Sequence, residues 1–188
     1  MSKKVGIIAE DKSDVAAIKI LIHRLGATPI SVKQFVGNGC GKILGKADAW
    51  SKELARAGCS YLLVVHDLDQ RNPADLLAAL RRAISNSPIS KSAIVIPTRE
   101  IEAWLLSDEV AISKFFKLKK GLKRVSNPEG LSDPKEKIGQ LVYQSSAGAK
   151  RYVSTIHNEK LFEQVSVARL KTCRSFLVLE KFIRESLS

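Results

Sequence analysis

Short apolar runs alternate with longer amphipathic stretches along this chain, and that rhythm predicts its elements. Residues 4–9 (KVGIIA) read as a buried strand, short, continuous and partly β-branched. Over 12–25, Val15, Ile18, Ile22 and Leu25 fall at helical spacing and Gly26 ends the pattern, which predicts an amphipathic helix. Residues 29–36 (PISVKQFV) predict a second strand. A glycine-rich turn, Gly37-Asn38-Gly39-Cys40-Gly41, then opens a helix from about 42 to 57 that Gly58 closes. Residues 60–66 (SYLLVVH) read as the third strand. Pro73 suits the first turn of a helix whose buried stripe is Leu76, Leu77, Leu80 and Ile84. Residues 92–97 (SAIVIP) form a fourth strand, followed by the Trp-bearing helical segment 100–108 (EIEAWLLSD).

Strands alternating with helices at this spacing imply βαβ units. The fold class is therefore α/β, a mostly parallel sheet flanked by helices. Beyond about residue 110 no strand pattern remains, Pro128, Gly130 and Pro134 break the chain, and 175–188 looks helical. We expect an α/β core over 1–110 and a helical C-terminal extension over 111–188 packed on it, one compact unit without internal repeats.

Composition and local runs add four constraints. With 188 residues, 45% of them apolar, the chain suffices for one domain with a proper core. No apolar run approaches the ~20 residues that span a bilayer. Only about five apolar residues separate the N-terminal lysines from Glu10, short of the roughly 7–15 of a signal peptide, so a cytoplasmic location is expected. Three cysteines and three histidines are scattered without metal-binding spacing, which argues against a disulfide framework or structural zinc.

The formal charge of +12 favours a polyanionic partner, nucleic acid or nucleotide. It is densest at Lys114, Lys117, Lys119, Lys120, Lys123 and Arg124, six cations in eleven residues without an acid. Such a cluster predicts contacts to nucleic-acid phosphates, without sequence preference. The interleaved Phe115 and Phe116 either stack on bases or anchor the segment to the core.

The chemistry concentrates where strands end. In open parallel sheets, ligands bind beyond the carboxyl ends of the strands. Glu10 ends the first strand, Asp67 and Asp69 end the third, and Glu100 and Glu102 follow the fourth. Asp14 lies in the first turn of the helix after Glu10. Residues two apart on a strand share a face, so Asp67 and Asp69 are expected to converge. Crowded carboxylates repel, and a divalent cation removes the penalty. Oxygen donors without His or Cys select Mg²⁺ or Mn²⁺. Taken singly, Asp69 is equally a cap for the helix near Pro73, and Asp14 an early-turn acid favoured by the helix dipole. GNGCGK is not a Walker loop, because Ile43 follows Gly41-Lys42 and Val36 stands where the first glycine is needed. The turn reads either as a backbone cradle for phosphate or as a flexible connection.

These motifs resemble the Toprim domain, the magnesium-binding catalytic module of topoisomerases, primases and the overcoming-lysogenization-defect (OLD) nucleases. The segments EDKSD, GNGCGKIL, VVHDLDQ, REIEAWLLSD, NPEGLSDPKEKI and CRSF are similar to a small bacterial Toprim-like family catalogued as a domain of unknown function. The resemblance implies a Toprim/Rossmann-like sheet and Mg²⁺-dependent phosphoryl transfer, most simply hydrolysis of DNA or RNA phosphodiesters. It implies catalytic or metal-binding roles for Glu10, Asp67 and Asp69, and further metal contacts from Asp14 and Glu102. Lys150 is its candidate catalytic lysine, and an ATPase partner in phage defence its context. At Asp11 the chain departs from the glycine usual after the glutamate. Two rival readings stand beside it. One is a receiver-like domain phosphorylated on Asp67, with Thr98 as its switch residue. The other is a non-catalytic nucleic-acid-binding module.

Overall fold

The computed structural model describes residues 3–26, 29–37 and 40–187. Strands β1 (Lys3–Ala9), β2 (Ile30–Val36), β3 (Tyr61–Val65) and β4 (Lys91–Val95) pair in parallel in the order β2-β1-β3-β4. Helices α1 (Lys12–Leu25), α2 (Cys40–Arg56) and α3 (Pro73–Ala83) connect them. The predicted α/β class and parallel sheet are thus what the chain forms. No fifth strand follows among the described residues, so the sheet lacks the element a receiver-like domain would need.

Alternation along the strands splits the interior in two. Ile7, Ala9, Leu63 and Val65 face α1, whereas Ile8, Leu62 and Val64 face α2 and α3. Gly6 lets α2 approach the sheet, because a Cβ there would lie 2.8 Å from the Leu54 side chain. Gly58, at φ 83°, closes α2, with the Cys59 N–H bonded to the Leu54 carbonyl at 3.0 Å and the Gly58 N–H to Ala55 at 2.9 Å.

The chain beyond β4 forms α4 (Glu102–Leu105), α5 (Glu109–Phe115), α6 (Pro134–Ser145), α7 (Ser154–Gln164), α8 (Val167–Leu170) and α9 (Arg174–Phe182). A 3₁₀ turn spans Pro128–Gly130, and a π-helical turn over Ile183–Leu187 follows α9. The helix expected over 100–108 forms as the short α4, and Asp108 behind it caps α5 through the Ala111 N–H at 3.0 Å. The extension completes the interior on the α1 side. Trp104, Phe162, Phe176 and Leu187 belong to the same cluster as Val5 and Ile18. Arg24 of α1 donates to the carbonyls of Phe162 and Val165 at 2.6 and 2.8 Å.

Three sequence motifs prove to be one another's partners here. Glu129 of NPEG accepts from the N–H groups of Arg174 and Ser175 at 2.7 and 3.1 Å and from the Ser175 hydroxyl at 2.5 Å, capping the helix that CRSF opens. Trp104 Nε1 donates to the same hydroxyl at 2.7 Å. Cys59 and Cys173 are buried free thiols, and burial pushes Cys173 up to about 12, so it stays an inert thiol. Among the described residues no helix is long and apolar enough to cross a membrane.

Candidate active site

The strand order reverses direction between β1 and β3. The chain leaves β1 through α1 to one side, and β3 and β4 build to the other. At such a switch point the connections diverge and open a crevice beyond the strand ends. Glu10 and the His66-Asp67 pair lie at that crevice.

Glu10 is held from one side. Its Oε1 accepts the Asp67 N–H at 3.1 Å and His66 Nδ1 at 2.6 Å. Nδ1 also lies 2.8 Å from the Asp67 carbonyl. Both neighbours of Nδ1 are acceptors, so Nδ1 carries the proton. Glu10 Oε2 makes no hydrogen bond to a described residue, and the side chain keeps 16% exposure. His66, fully buried, is a site residue that the sequence reasoning passed over as one of three scattered histidines. Its position directly before the Asp67-x-Asp69 pair was the available signal.

Asp67 is half-buried among acids. Its Oδ1 is buried without a hydrogen-bond partner among the described residues. Burial first, then the charges of Asp14, Glu102, Glu10 and Glu100, push its carboxyl well above the usual range. Asp14, buried in the first turn of α1, is raised to about 8, by burial first and then by Asp11 and Glu102. It also closes a capping box. Asp11 Oδ1 accepts the Ser13 and Asp14 N–H groups at 2.6 and 3.0 Å, and Asp14 Oδ2 accepts the Asp11 N–H at 3.2 Å. Asp11, where the resemblance would have glycine, is therefore the N-cap of α1.

Glu102 reaches the cluster from α4 and is held by the extension. Its Oε1 accepts from the Tyr152 hydroxyl at 3.2 Å and from Asn158 Nδ2 at 3.1 Å. Tyr152 also bonds Asn158 Oδ1, and burial next to Glu102 pushes the phenol upward, so it remains a donor. Glu100 accepts the Lys135 N–H at the start of α6, at 3.0 Å, and its carboxyl is raised by burial.

Asp69 is exposed, whereas Asp67 is half-buried. Strand β3 ends at Val65, so the period-two rule no longer applies where the two aspartates stand. Asp69 adopts φ 51° and lies on the wall of an outer cleft of about 460 Å³. Glu10 stands electrostatically between them, raising both carboxyls, though burial is the larger cause for each. Asp69 does not cap α3; Asn72 does, accepting from the Ala74 and Asp75 N–H groups.

The structure thus gathers Glu10, Asp14, Asp67 and Glu102 into one electrostatic cluster with Asp69 at its edge. Lys150 lies apart from it in bonding, since its ammonium donates to the Phe116 carbonyl. Lys114, Lys117, Lys119, Lys120, Lys123 and Arg124 are all exposed. Phe116 is buried and Phe115 half-buried, stacked edge-on against each other and His157, which assigns them to anchoring. His157 in turn stacks on Tyr152, so an aromatic row joins the root of the basic segment to Glu102. Within the glycine-rich turn, Asn38 and Gly39 lie outside the described residues, and the Gly37 N–H is taken by the Ala9 carbonyl at 2.8 Å.

The donor set is that of a hard cation: carboxylate oxygens, one of them buried and unpartnered. Among the described residues no three such groups already stand at coordination spacing. No curated protein and no solved structure is significantly similar to this chain. Residues 9–184 match the family described as a domain of unknown function, DUF4276, and with nearly its whole length covered the chain belongs to that family.

Proposed function

We propose that this chain is a Toprim-like, Mg²⁺- or Mn²⁺-dependent phosphoryl-transfer protein that hydrolyses phosphodiesters of DNA or RNA. The observation carrying the reading is Asp67: an unpartnered buried carboxylate oxygen at the sheet's switch point, among further acids that raise its carboxyl. Asp67, Asp14, Glu102 and Glu10 are the residues that would hold the ion, with Asp69 at the outer edge. A bound divalent cation supplies Lewis-acid polarisation of the phosphoryl oxygen and stabilises the leaving oxygen.

The chain's own residues do the rest. His66 Nδ1–H and the Asp67 N–H fix one oxygen of Glu10, which leaves Oε2 to take a proton from an attacking water. Tyr152 and Asn158 fix Glu102. The basic segment 114–124 supplies charge for the nucleic-acid backbone. Lys150, engaged with Phe116, has no part in the chemistry proposed. The resemblance to OLD nucleases adds an ATPase partner protein.

Calorimetry with Mn²⁺ tests the ion site: binding should be lost in Asp67→Asn. Cleavage of single- and double-stranded DNA and structured RNA tests the chemistry. Glu10→Gln should lose roughly 10²–10⁴-fold in turnover, the usual contribution of a general acid or base. Equal Mn²⁺ binding in wild type and Asp67→Asn, or undiminished cleavage by Glu10→Gln, would overturn the reading.

A further inference from the structure

We propose that Arg71 and Arg99 form a phosphate subsite in the cleft outside Asp69, and that the substrate therefore carries consecutive phosphates rather than one terminal phosphate. This deepens the phosphoryl-transfer reading above and rests on it.

The cleft lies between the turn after β3, the turn after β4 and the segment leading into α6. At about 460 Å³ it falls within the range of about 300–1,000 Å³ common for small-ligand sites. Arg71 comes from the first turn and Arg99 from the second. The two turns are tied together, with the Asp69 N–H bonded to the Arg99 carbonyl at 3.2 Å and Arg99 Nη1 donating to the Asp69 carbonyl at 2.6 Å. Both tied residues sit in the left-handed region, Asp69 at φ 51° and Arg99 at φ 66°. Side chains other than glycine seldom adopt that conformation, and it persists where surrounding bonds enforce it.

The charges point to a ligand. Asp69, Glu100 and Asp133 share the cleft with the two guanidiniums. Yet among the described residues neither guanidinium forms an ion pair with any of them. Arg99 spends one of its five N–H donors on a carbonyl, and both guanidiniums stand near enough to Asp69 to offset part of the rise that burial gives its carboxyl, without pairing with it. A guanidinium stays protonated and presents a fork that matches two oxygens of a phosphate. The start of α6 contributes no donors at its first free N–H groups, because Glu100 and Asp133 already accept those of Lys135 and Glu136.

Asp69 is the wall between this cleft and the Glu10 side of the cluster. A phosphate held by Arg71 and Arg99 therefore neighbours the phosphate at Asp67 and Glu10, as successive phosphates of one strand do. Orienting the strand there fixes which bond faces Glu10.

The test is calorimetric titration with thymidine bisphosphate, phosphorylated on both sugar hydroxyls, and with thymidine monophosphate, in Mn²⁺ and in EDTA. Wild type should prefer the bisphosphate. Arg71→Ala should lose roughly 10- to 100-fold of that affinity, the range of a lost charge-assisted pair, while retaining Mn²⁺ binding. Arg71→Lys should restore part of it. Arg71 is the cleaner probe because Arg99 also holds the Asp69 carbonyl. Undiminished bisphosphate preference in Arg71→Ala and in the Arg71→Ala/Arg99→Lys double variant would overturn the subsite. Loss of Mn²⁺ binding and cleavage from the reading above, with the Arg71-dependent preference intact, would instead remove the phosphoryl-transfer reading and leave an anion site.

Discussion

Replacing Asp14 with asparagine should stabilise the protein at pH 8 in EDTA and change little at pH 4. Asp14 is 5% exposed, and its carboxyl rises from 3.8 to about 8, through burial first and then through Asp11 and Glu102. An acid raised in the folded state keeps its proton where the unfolded chain has lost it. Its contribution to stability is complete below about pH 4 and is lost as pH climbs toward 8. At about 1.4 kcal/mol per unit, the full loss is on the order of 5 kcal/mol. Water entry and carboxylate rotation relieve part of it, leaving about 2–4 kcal/mol. Asparagine has nearly the same shape, carries no charge, and can still accept the Asp11 N–H bond of the capping box. In a chain of this size each kcal/mol moves the melting temperature by about 2–4 °C, so a gain of about 5–15 °C is expected at pH 8. Calorimetric melts from pH 4 to 8 measure it. Added Mn²⁺ should stabilise wild type more than Asp14→Asn, since a cation offsets the same repulsion. A gain independent of pH, or a variant less stable at pH 8, would show that these carboxylates are not crowded.

Three further outcomes follow from named bonds. Glu129→Ala removes the cap on α9 and the Ser175 contact, and should cost about 1–3 kcal/mol in urea unfolding; superimposable curves would refute the cap. His66→Gln withdraws the Nδ1–H donor from Glu10 and should lower phosphodiester turnover roughly 10–100-fold with Mn²⁺ affinity little changed, and unaltered turnover would deny His66 its positioning role. Replacing Lys117, Lys119, Lys120 and Lys123 with alanine should flatten the plot of log affinity against log salt by up to ~0.9 per lost duplex-DNA contact, whereas an unchanged slope makes the segment an ordinary solvated face.

Local pattern was enough for the sheet. Each strand is a short apolar run between turn residues, and α1 runs over Lys12–Leu25, as its stripe and Gly26 predict. The acids Glu10 and Asp67 were legible because a strand end is a fixed place in such a fold. The helix over 100–108 is present but shorter than its apolar pattern, confined to α4 before the Asp108 cap starts α5. Alternation does not extend to Asp67 and Asp69, because it holds only while the strand lasts, and β3 stops at Val65. Tyr152, Asn158 and Arg71 were not legible at all. Their parts depend on contacts between distant segments, such as the bond joining Asn158 to Glu102 across 56 positions.

That long-range bonding changes what the site is. Asp67 and Asp14 are core residues, yet both feel Glu102 as a charge, and Glu102 is held by Tyr152 and Asn158 of the extension. Glu100 is likewise held by the Lys135 N–H at the start of α6. The extension is fixed in turn by Arg24 reaching the carbonyls of Phe162 and Val165 and by Trp104 bonding Ser175. Remove those ties, and Glu102 swings into water, where its charge is screened. Asp67 would then lose one of the charges that raise its carboxyl, while burial and Asp14 would still hold it up. The strands place Glu10 and Asp67, and the extension adds Glu102 to the crowding that a cation would relieve under the function proposed above.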